Sequence, residues 1–260
     1  MHDPRRGRRV AVVTGASSGI GEASARALAR RGWLTVGLAR RGERLERLAR
    51  ELDGDFEVCD VGRREDVERA AAAVLERHPA VSLLVNNAGI PGRRDFLSLE
   101  PESIEEVLRV NYLGGVWCLR AFLSGLERAR PAHVVNVVSV AGTVASPPSG
   151  PYSAAKHAQL AFSRATTAQL RRRGISVHTL NPGFIETEGF PQRTVLRSLA
   201  LRRTVVGPER VAEALVRAIE RDRQEMFVPA WYRIAAFAQA LAPGAVSRLL
   251  ASTGYRTRRP

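Results

Sequence analysis

Tyr152 and Lys156 stand four residues apart in the run Pro151-Tyr152-Ser153-Ala154-Ala155-Lys156, and Lys156 is the one lysine among 40 basic residues. A coding bias toward arginine explains the depletion, but not why this position escaped it. A guanidinium is a broad planar fork that stays charged at any working pH. An ammonium is a compact point charge on a flexible stem, and the two do not interchange where a site needs compactness. The lone lysine therefore marks a candidate site. If its segment is helical, the four-residue spacing sets both side chains on one face. A second pattern lies near the N-terminus, where Thr14-Gly15-Ala16-Ser17-Ser18-Gly19-Ile20-Gly21 follows the short apolar run Val10-Ala11-Val12-Val13. Glycines let a chain turn sharply and approach a pyrophosphate, which the free N–H groups of a helix N-terminus then bind. The spacing is Gly-x3-Gly-x-Gly, and its place after a first strand points to a dinucleotide site.

The elements that must position these groups alternate along the chain. Strand-like apolar runs at 10–13, 34–38, 56–59, 81–85, 134–138, 175–180 and 226–229 are separated by helical patterns at 19–31, 43–52, 64–78, 101–127 and 153–173. Continuous apolar strands between amphipathic helices predict an α/β fold. The expected form is a Rossmann-type doubly wound parallel sheet of about seven strands with helices on both faces. With no linker or repeat in view, residues 1–229 read as one domain and 230–260 as a helical extension. The second strand ends Leu38-Ala39-Arg40-Arg41. In this fold an acid near that point binds the ribose diol of NAD, whereas arginine suits a 2′-phosphate. The sequence therefore favours NADP(H) over NAD(H), with Arg40 ahead of Arg41 as the contact.

The net charge of +14 admits nucleic acid, acidic lipid or an acidic protein as a partner. The arginines, however, are spread beside glutamates, as in Arg41-Gly42-Glu43-Arg44-Leu45-Glu46-Arg47, which fits solvated helix faces. No nucleic-acid motif accompanies them, and that reading is set aside. Cys59 and Cys118 match neither a disulfide framework nor a metal cluster, and the histidines have no metal-ligand spacing. Together with a start unlike a signal peptide, this points to a reducing cytoplasm.

Five motifs then fall in one order: residues 14–21, Asn86-Asn87-Ala88-Gly89, Asn111, Ser139 with Tyr152-x3-Lys156, and Pro182-Gly183-x3-Thr187. In that order and spacing the chain resembles the short-chain dehydrogenase/reductase family over residues 9–229. The resemblance implies that Tyr152 is the general acid for carbonyl reduction and the base for alcohol oxidation. A free tyrosine has a pKa of about 10 and needs a nearby cation for such work, which Lys156 would supply. Lys156 would also hold the nicotinamide ribose, Ser139 would polarise the substrate carbonyl, and Asn111 would help organise a proton relay through water. The implied cofactor contacts are Gly15, Ser17, Ser18, Gly19, Ile20 and Gly21 at the turn, Arg40 and Arg41 after the second strand, and Asp60 and Val61 at the adenine end. Asn87, Ala88 and Gly89 would line the cleft. Tyr152 and Lys156 would meet the ribose, and Pro182, Gly183, Ile185 and Thr187 the carboxamide. The family transfers hydride without a metal, and its members form homodimers or homotetramers.

Specificity is expected from loops at 90–96, 140–150 and 184–206. Their apolar members Phe96, Val140, Val144, Phe184, Phe190, Leu196 and Leu199 suggest a lipophilic carbonyl or secondary alcohol as substrate. In the extension Trp231, Ile234, Ala238 and Leu241 share one helical face, Pro243-Gly244 breaks the helix, and Val246, Leu249 and Leu250 follow. The stretch is too short to span a bilayer, which needs about 20 apolar residues. It can cover the pocket or a subunit interface, lie as a peripheral contact on an anionic membrane, or complete the core. Two other functions compete. A ketoreductase acting on acyl groups of an acidic carrier protein suits the basic charge, although the extension argues against it. A non-catalytic nucleotide-binding sensor predicts a broken Ser139, Tyr152 or Lys156, and all three are intact.

Overall fold

The computed structural model describes residues 7–92, 99–145, 149–192 and 204–252. Seven strands form one sheet: β1 (Val10–Thr14), β2 (Leu34–Ala39), β3 (Asp55–Val58), β4 (Leu83–Asn86), β5 (Ala132–Val137), β6 (Ile175–Pro182) and β7 (Glu225–Val228). Their order is β3-β2-β1-β4-β5-β6-β7, and every pairing is parallel. Alternate residues of each strand feed two cores, which is why the strands read as unbroken apolar runs. Ala11 and Val13 face α1 (Gly19–Ala29) and α7 (Pro208–Glu220), with α2 (Gly42–Leu52) beside them. Val10 and Val12 face α3 (Arg64–Arg77), α5 (Gly114–Arg128) and the end of α6 (Gly150–Arg171). The strand order reverses between β1 and β4, which opens the crevice where this architecture binds ligands.

Three boundaries differ from the sequence reading. The pattern at 101–127 is not one uniform helix: α4 (Pro101–Leu108) passes through a π-helical turn at Arg109–Leu113 into α5. Helix α6 begins at Gly150 with Pro151 in its first turn, three residues before the pattern suggests, so Tyr152 is helical. Helix α7 has no counterpart in the sequence reading, although Val211, Ala212, Leu215 and Ala218 are buried at helical spacing. The extension folds as α8 (Tyr232–Leu241) and α9 (Pro243–Ser252), broken at Pro243 as expected.

Two histidines lie between β5 and β6 under α7. His178 Nδ1 donates to the Arg223 carbonyl, 2.8 Å away, so its Nε2 is left to accept from His133 Nδ1 at 3.0 Å. A proton added to His178 Nε2 would set its N–H against that of His133 Nδ1, and a proton added to His133 would put a buried charge beside the neighbouring ring. Burial, with the neighbouring ring second, lowers His133 from the ordinary 6.5 to about 4, and burial also lowers His178. Both groups therefore support the fold fully above pH 6.5, and that support is lost as pH falls below it, for His133 through about 4. In denaturation measured across this window, wild-type stability should fall more steeply than that of a His133→Gln/His178→Gln variant; parallel curves would refute the assignment.

Candidate active site

The glycine-rich turn is tied to the β4 end by one hydroxyl. Thr14 Oγ1 accepts from the N–H groups of Asn87 (2.9 Å) and Ala88 (3.0 Å) and donates to the Val85 carbonyl (3.1 Å). Asn87 Nδ2 donates back to the Thr14 carbonyl at 2.9 Å. This stitching leaves no room for side chains in the turn. A Cβ at Gly21 would fall 2.3 Å from the Gly15 carbonyl oxygen, and one at Gly15 would fall 2.8 Å from Asn87 Nδ2. Gly15 and Gly19 also hold φ of +69° and +57°, where glycine carries no steric cost. Ser18, at the N-cap of α1, makes no capping bond with its side chain. The first-turn N–H groups are thus unclaimed by a side-chain cap, and they are the donor set a pyrophosphate needs. Ile20 packs against the core below.

Around this turn the other cofactor candidates gather. Arg41 Nε and Nη2 donate to the hydroxyls of Ser17 (3.1 Å) and Ser18 (2.6 Å), and Nη1 pairs with Glu188 at 3.2 Å. Both arginines are exposed, and Arg41 is the one that bonds the hydroxyls of the turn. Asp60 Oδ1 accepts from the Gly62 N–H at 2.9 Å, while the Val61 side chain is buried beside Gly114. Thr187 lies over the turn, its Cγ2 3.0 Å from where a Gly19 Cβ would stand. Ile185 is buried and pairs with Val206 in an isolated bridge, and a Cβ at Gly183 would strike the Tyr232 ring at 2.0 Å.

Helix α6 carries the reactive pair. Lys156 is 3% exposed, and its Nζ donates to the Val137 carbonyl of β5 (3.1 Å) and to Gln159 Oε1 (2.8 Å). The ammonium lies 5.8 Å from the centroid of the Tyr152 ring, so the expected shared face is real. Ser139, past the end of β5, accepts from the Ala141 N–H (3.1 Å) and donates to the Pro182 carbonyl (3.4 Å), which puts it at the joint of β5 and β6. Phe190 stacks obliquely on Tyr152, with ring centroids 5.8 Å apart. Phe184 instead meets Tyr232 edge-on. Phe96, Leu196 and Leu199 lie outside the described residues.

Asn111 departs from the simple picture. Its Nδ2 donates to the carbonyls of Ile90 and Val107, both at 3.0 Å, and its Oδ1 accepts from the Ile90 N–H at 3.2 Å. The amide is thus committed to backbone, and it pins the loop after Gly89 to the π turn. Such turns recur at functional sites.

The sequence reading also missed a buried polar row. Asn86 of β4 donates to Asn136 of β5 (3.0 Å), Asn136 to Ser163 of α6 (2.8 Å), and Ser163 shares a hydrogen bond with Thr179 of β6 (2.7 Å). Gln159 lies one helical turn before Ser163, and only the pairing of polar residues at i and i+4 on α6 hinted at it. This glutamine lies in one small cluster with Thr14, Asn86 and Asn111.

Comparison with known proteins agrees with this geometry. A family model described as short chain dehydrogenase matches residues 9–194. The chain is 38% identical over 199 residues to a farnesol dehydrogenase of Aedes aegypti, covering 72% of this chain and 81% of that protein. An alcohol dehydrogenase from the archaeon Thermococcus sibiricus, solved with 5-hydroxy-NADP, superposes with a TM-score of 0.75 at 32% identity, covering 85% of this chain and 95% of its own. A short chain dehydrogenase/reductase from Burkholderia phymatum, solved with NAD, gives 0.81 at 26% identity, covering 92% and 95%.

Burial lowers Lys156 from the ordinary 10.5 to about 7. Between those values the unfolded chain holds the proton and the folded chain does not, so stability should rise with pH across the window. Its slope can reach about 1.4 kcal/mol per pH unit. Replacing Lys156 by Met should remove that rise in urea titrations of the protein without cofactor. Gln159→Leu, which takes an acceptor from the charged form, should start the rise at lower pH. A Lys156→Met curve parallel to wild type would contradict a buried, titrating ammonium.

Proposed function

We propose, for a chain that belongs to the short-chain dehydrogenase/reductase family of NAD(P)-dependent oxidoreductases, the interconversion of a lipophilic carbonyl compound and its secondary alcohol with NADP(H), Tyr152 being the acid and base. The observation that carries this reading is the buried Lys156 ammonium 5.8 Å from the Tyr152 ring. When protonated, Lys156 beside the Tyr152 ring favours the phenolate over the phenol. A neutral phenol beside that cation can give its proton to a forming alkoxide and recover it in the reverse direction.

The residues present fit a nicotinamide dinucleotide. The uncapped α1 N-terminus and the side-chain-free turn at Gly15, Gly19 and Gly21 suit the pyrophosphate. The third donor of Lys156 is left for the ribose, and Gly183, Ile185 and Thr187 border the carboxamide end. When bound, the nicotinamide supplies or takes the hydride. Ser139, at the β5–β6 joint, holds the substrate oxygen within reach of Tyr152 and so orients the carbonyl. Asn111 keeps the 89–90 loop in place, and its part in proton relay passes through the main chain of the π turn. Phe190 against Tyr152 supplies an apolar wall, which favours a lipophilic substrate. The similar farnesol dehydrogenase is named for a lipophilic alcohol, although a primary one.

The preference for NADP(H) rests on Arg41, held by Ser17 and Ser18 at the end of β2. An arginine there can meet a 2′-phosphate bidentately.

Two measurements test the reading. Tyr152→Phe keeps the ring against Phe190 and should lower kcat by at least about a thousandfold while NADPH still binds by fluorescence titration. Turnover near wild type in the folded variant would remove the mechanism. Arg41→Ala should raise KM for NADPH by about tenfold or more and leave KM for NADH nearly unchanged. Equal effects on both cofactors would assign Arg41 to the turn alone.

A further inference from the structure

Helix α8 wears its amphipathicity inside out. Tyr232 is buried, and Ala235, Ala236 and Gln239 on the same side are half-buried. The opposite side carries Ile234, Phe237 and Leu241, which are 72%, 60% and 84% exposed. Trp231 at its edge is 47% exposed, and Leu249 of α9 is 63% exposed. A helix that completes a core turns its large apolar residues inward. Here, Tyr232 apart, alanines and Gln239 point inward while Ile234, Phe237 and Leu241 point to solvent, which argues against core completion as the role of that stripe. The stripe calls for a cover.

The charge around it selects the cover. From residue 229 to the end the sequence holds Arg233, Arg248, Arg256, Arg258 and Arg259, and no aspartate or glutamate. Arg233 and Arg248 are exposed; the other three lie outside the described residues. A second copy on a two-fold axis would set this patch against itself, arginine facing arginine with no carboxylate within the patch. A bilayer carrying anionic headgroups offers the matching surface. Its acyl layer takes the stripe, its phosphates take the guanidiniums, and tryptophan suits the boundary. No helix among the described residues is long and apolar enough to cross a membrane, so the contact lies in the plane of the interface.

We propose that α8 and α9 form a contact face for anionic phospholipid bilayers. Tyr232, the buried residue that anchors α8, lies on Gly183 and meets Phe184 edge-on at 6.3 Å, so the face adjoins the rim of the cleft. A lipophilic substrate would then enter from the bilayer without crossing water, a corollary that rests on the oxidoreductase reading.

The test is flotation of the full-length chain with vesicles of phosphatidylcholine alone and of phosphatidylcholine mixed with phosphatidylglycerol. Wild type should float with the mixed vesicles and far less with the neutral ones. An I234N/F237N/L241N variant should lose at least about tenfold in bound fraction, because three apolar anchors are gone. R233Q/R248Q, or raised ionic strength, should weaken binding several-fold. No flotation on the mixed vesicles, or flotation unchanged in the triple variant, overturns the proposal. If wild type does not float and the triple variant alone dissociates in sedimentation, a second copy covers the stripe instead. Turnover of a water-soluble alcohol, read in parallel, separates the two readings: flotation lost with turnover intact removes only the lipid face, and flotation intact without turnover removes only the oxidoreductase.

Discussion

Lys156 lies in a region that water does not reach, which lowers it to about 7, and its charged form is tolerated only where acceptors replace its hydration. Val137 and Gln159 provide two, one from the neighbouring strand and one from the lysine's own helix. Helix α6 must therefore sit on the sheet at one height, since a shift of one turn would strip Nζ of the β5 carbonyl. The polar row from Asn86 through Asn136 and Ser163 to Thr179 fixes the same height a second time, across three strands. Buried polar rows of this kind specify an arrangement more sharply than apolar contact, because a slip would leave further polar groups unpaired beside Asn86 Oδ1, which already lacks a protein partner. Tyr152 inherits its position from this docking, one turn back along α6.

The two halves of the sheet share both cores, and at the reversal between β1 and β4 a few polar side chains tie them at the turn. Thr14 ties β1 to the loop after β4, and the Gly19–Thr187 approach brings the segment after β6 onto the turn. Glu188 adds a charged clasp, reaching back to Arg41 and Arg44. All three partners of that clasp are substantially exposed, so it contributes little to stability. Its effect is local: it sets the direction in which Arg41 leaves the backbone, next to Ser17 and Ser18.

The parts legible in the sequence are those governed by local pattern. Strands buried on both faces read as apolar runs, and the ordered motifs located the turn and the reactive pair. The π turn was not legible, because the extra residue is accommodated by Asn111 bonding Ile90, a contact 21 residues away. Gln159 reads as a polar position on a helix until the sheet buries it beside Lys156. Arg40 and Arg41 are indistinguishable by composition, and only the exit direction of β2 sets which of the two exposed arginines reaches Ser17 and Ser18. Helix α7 was within reach, since its buried positions recur at helical spacing.

The extension shows how a motif residue can answer to two constraints at once. Gly183 belongs by resemblance to the carboxamide end of the nicotinamide site. In this chain its missing side chain is also what lets the Tyr232 ring lie on the backbone, since a Cβ would stand 2.0 Å from that ring. Tyr232 is in turn the one fully buried residue of α8, so the attachment of that helix to the domain passes through the site's own backbone. A side chain at 183 would have to displace Tyr232 first, and so would disturb α8 before it disturbed any ligand. The spacing of Trp231, Ile234, Ala238 and Leu241 could name a face in the sequence but not its direction. The direction follows from Tyr232 one position away, because a helix pinned by that ring must turn the opposite face outward.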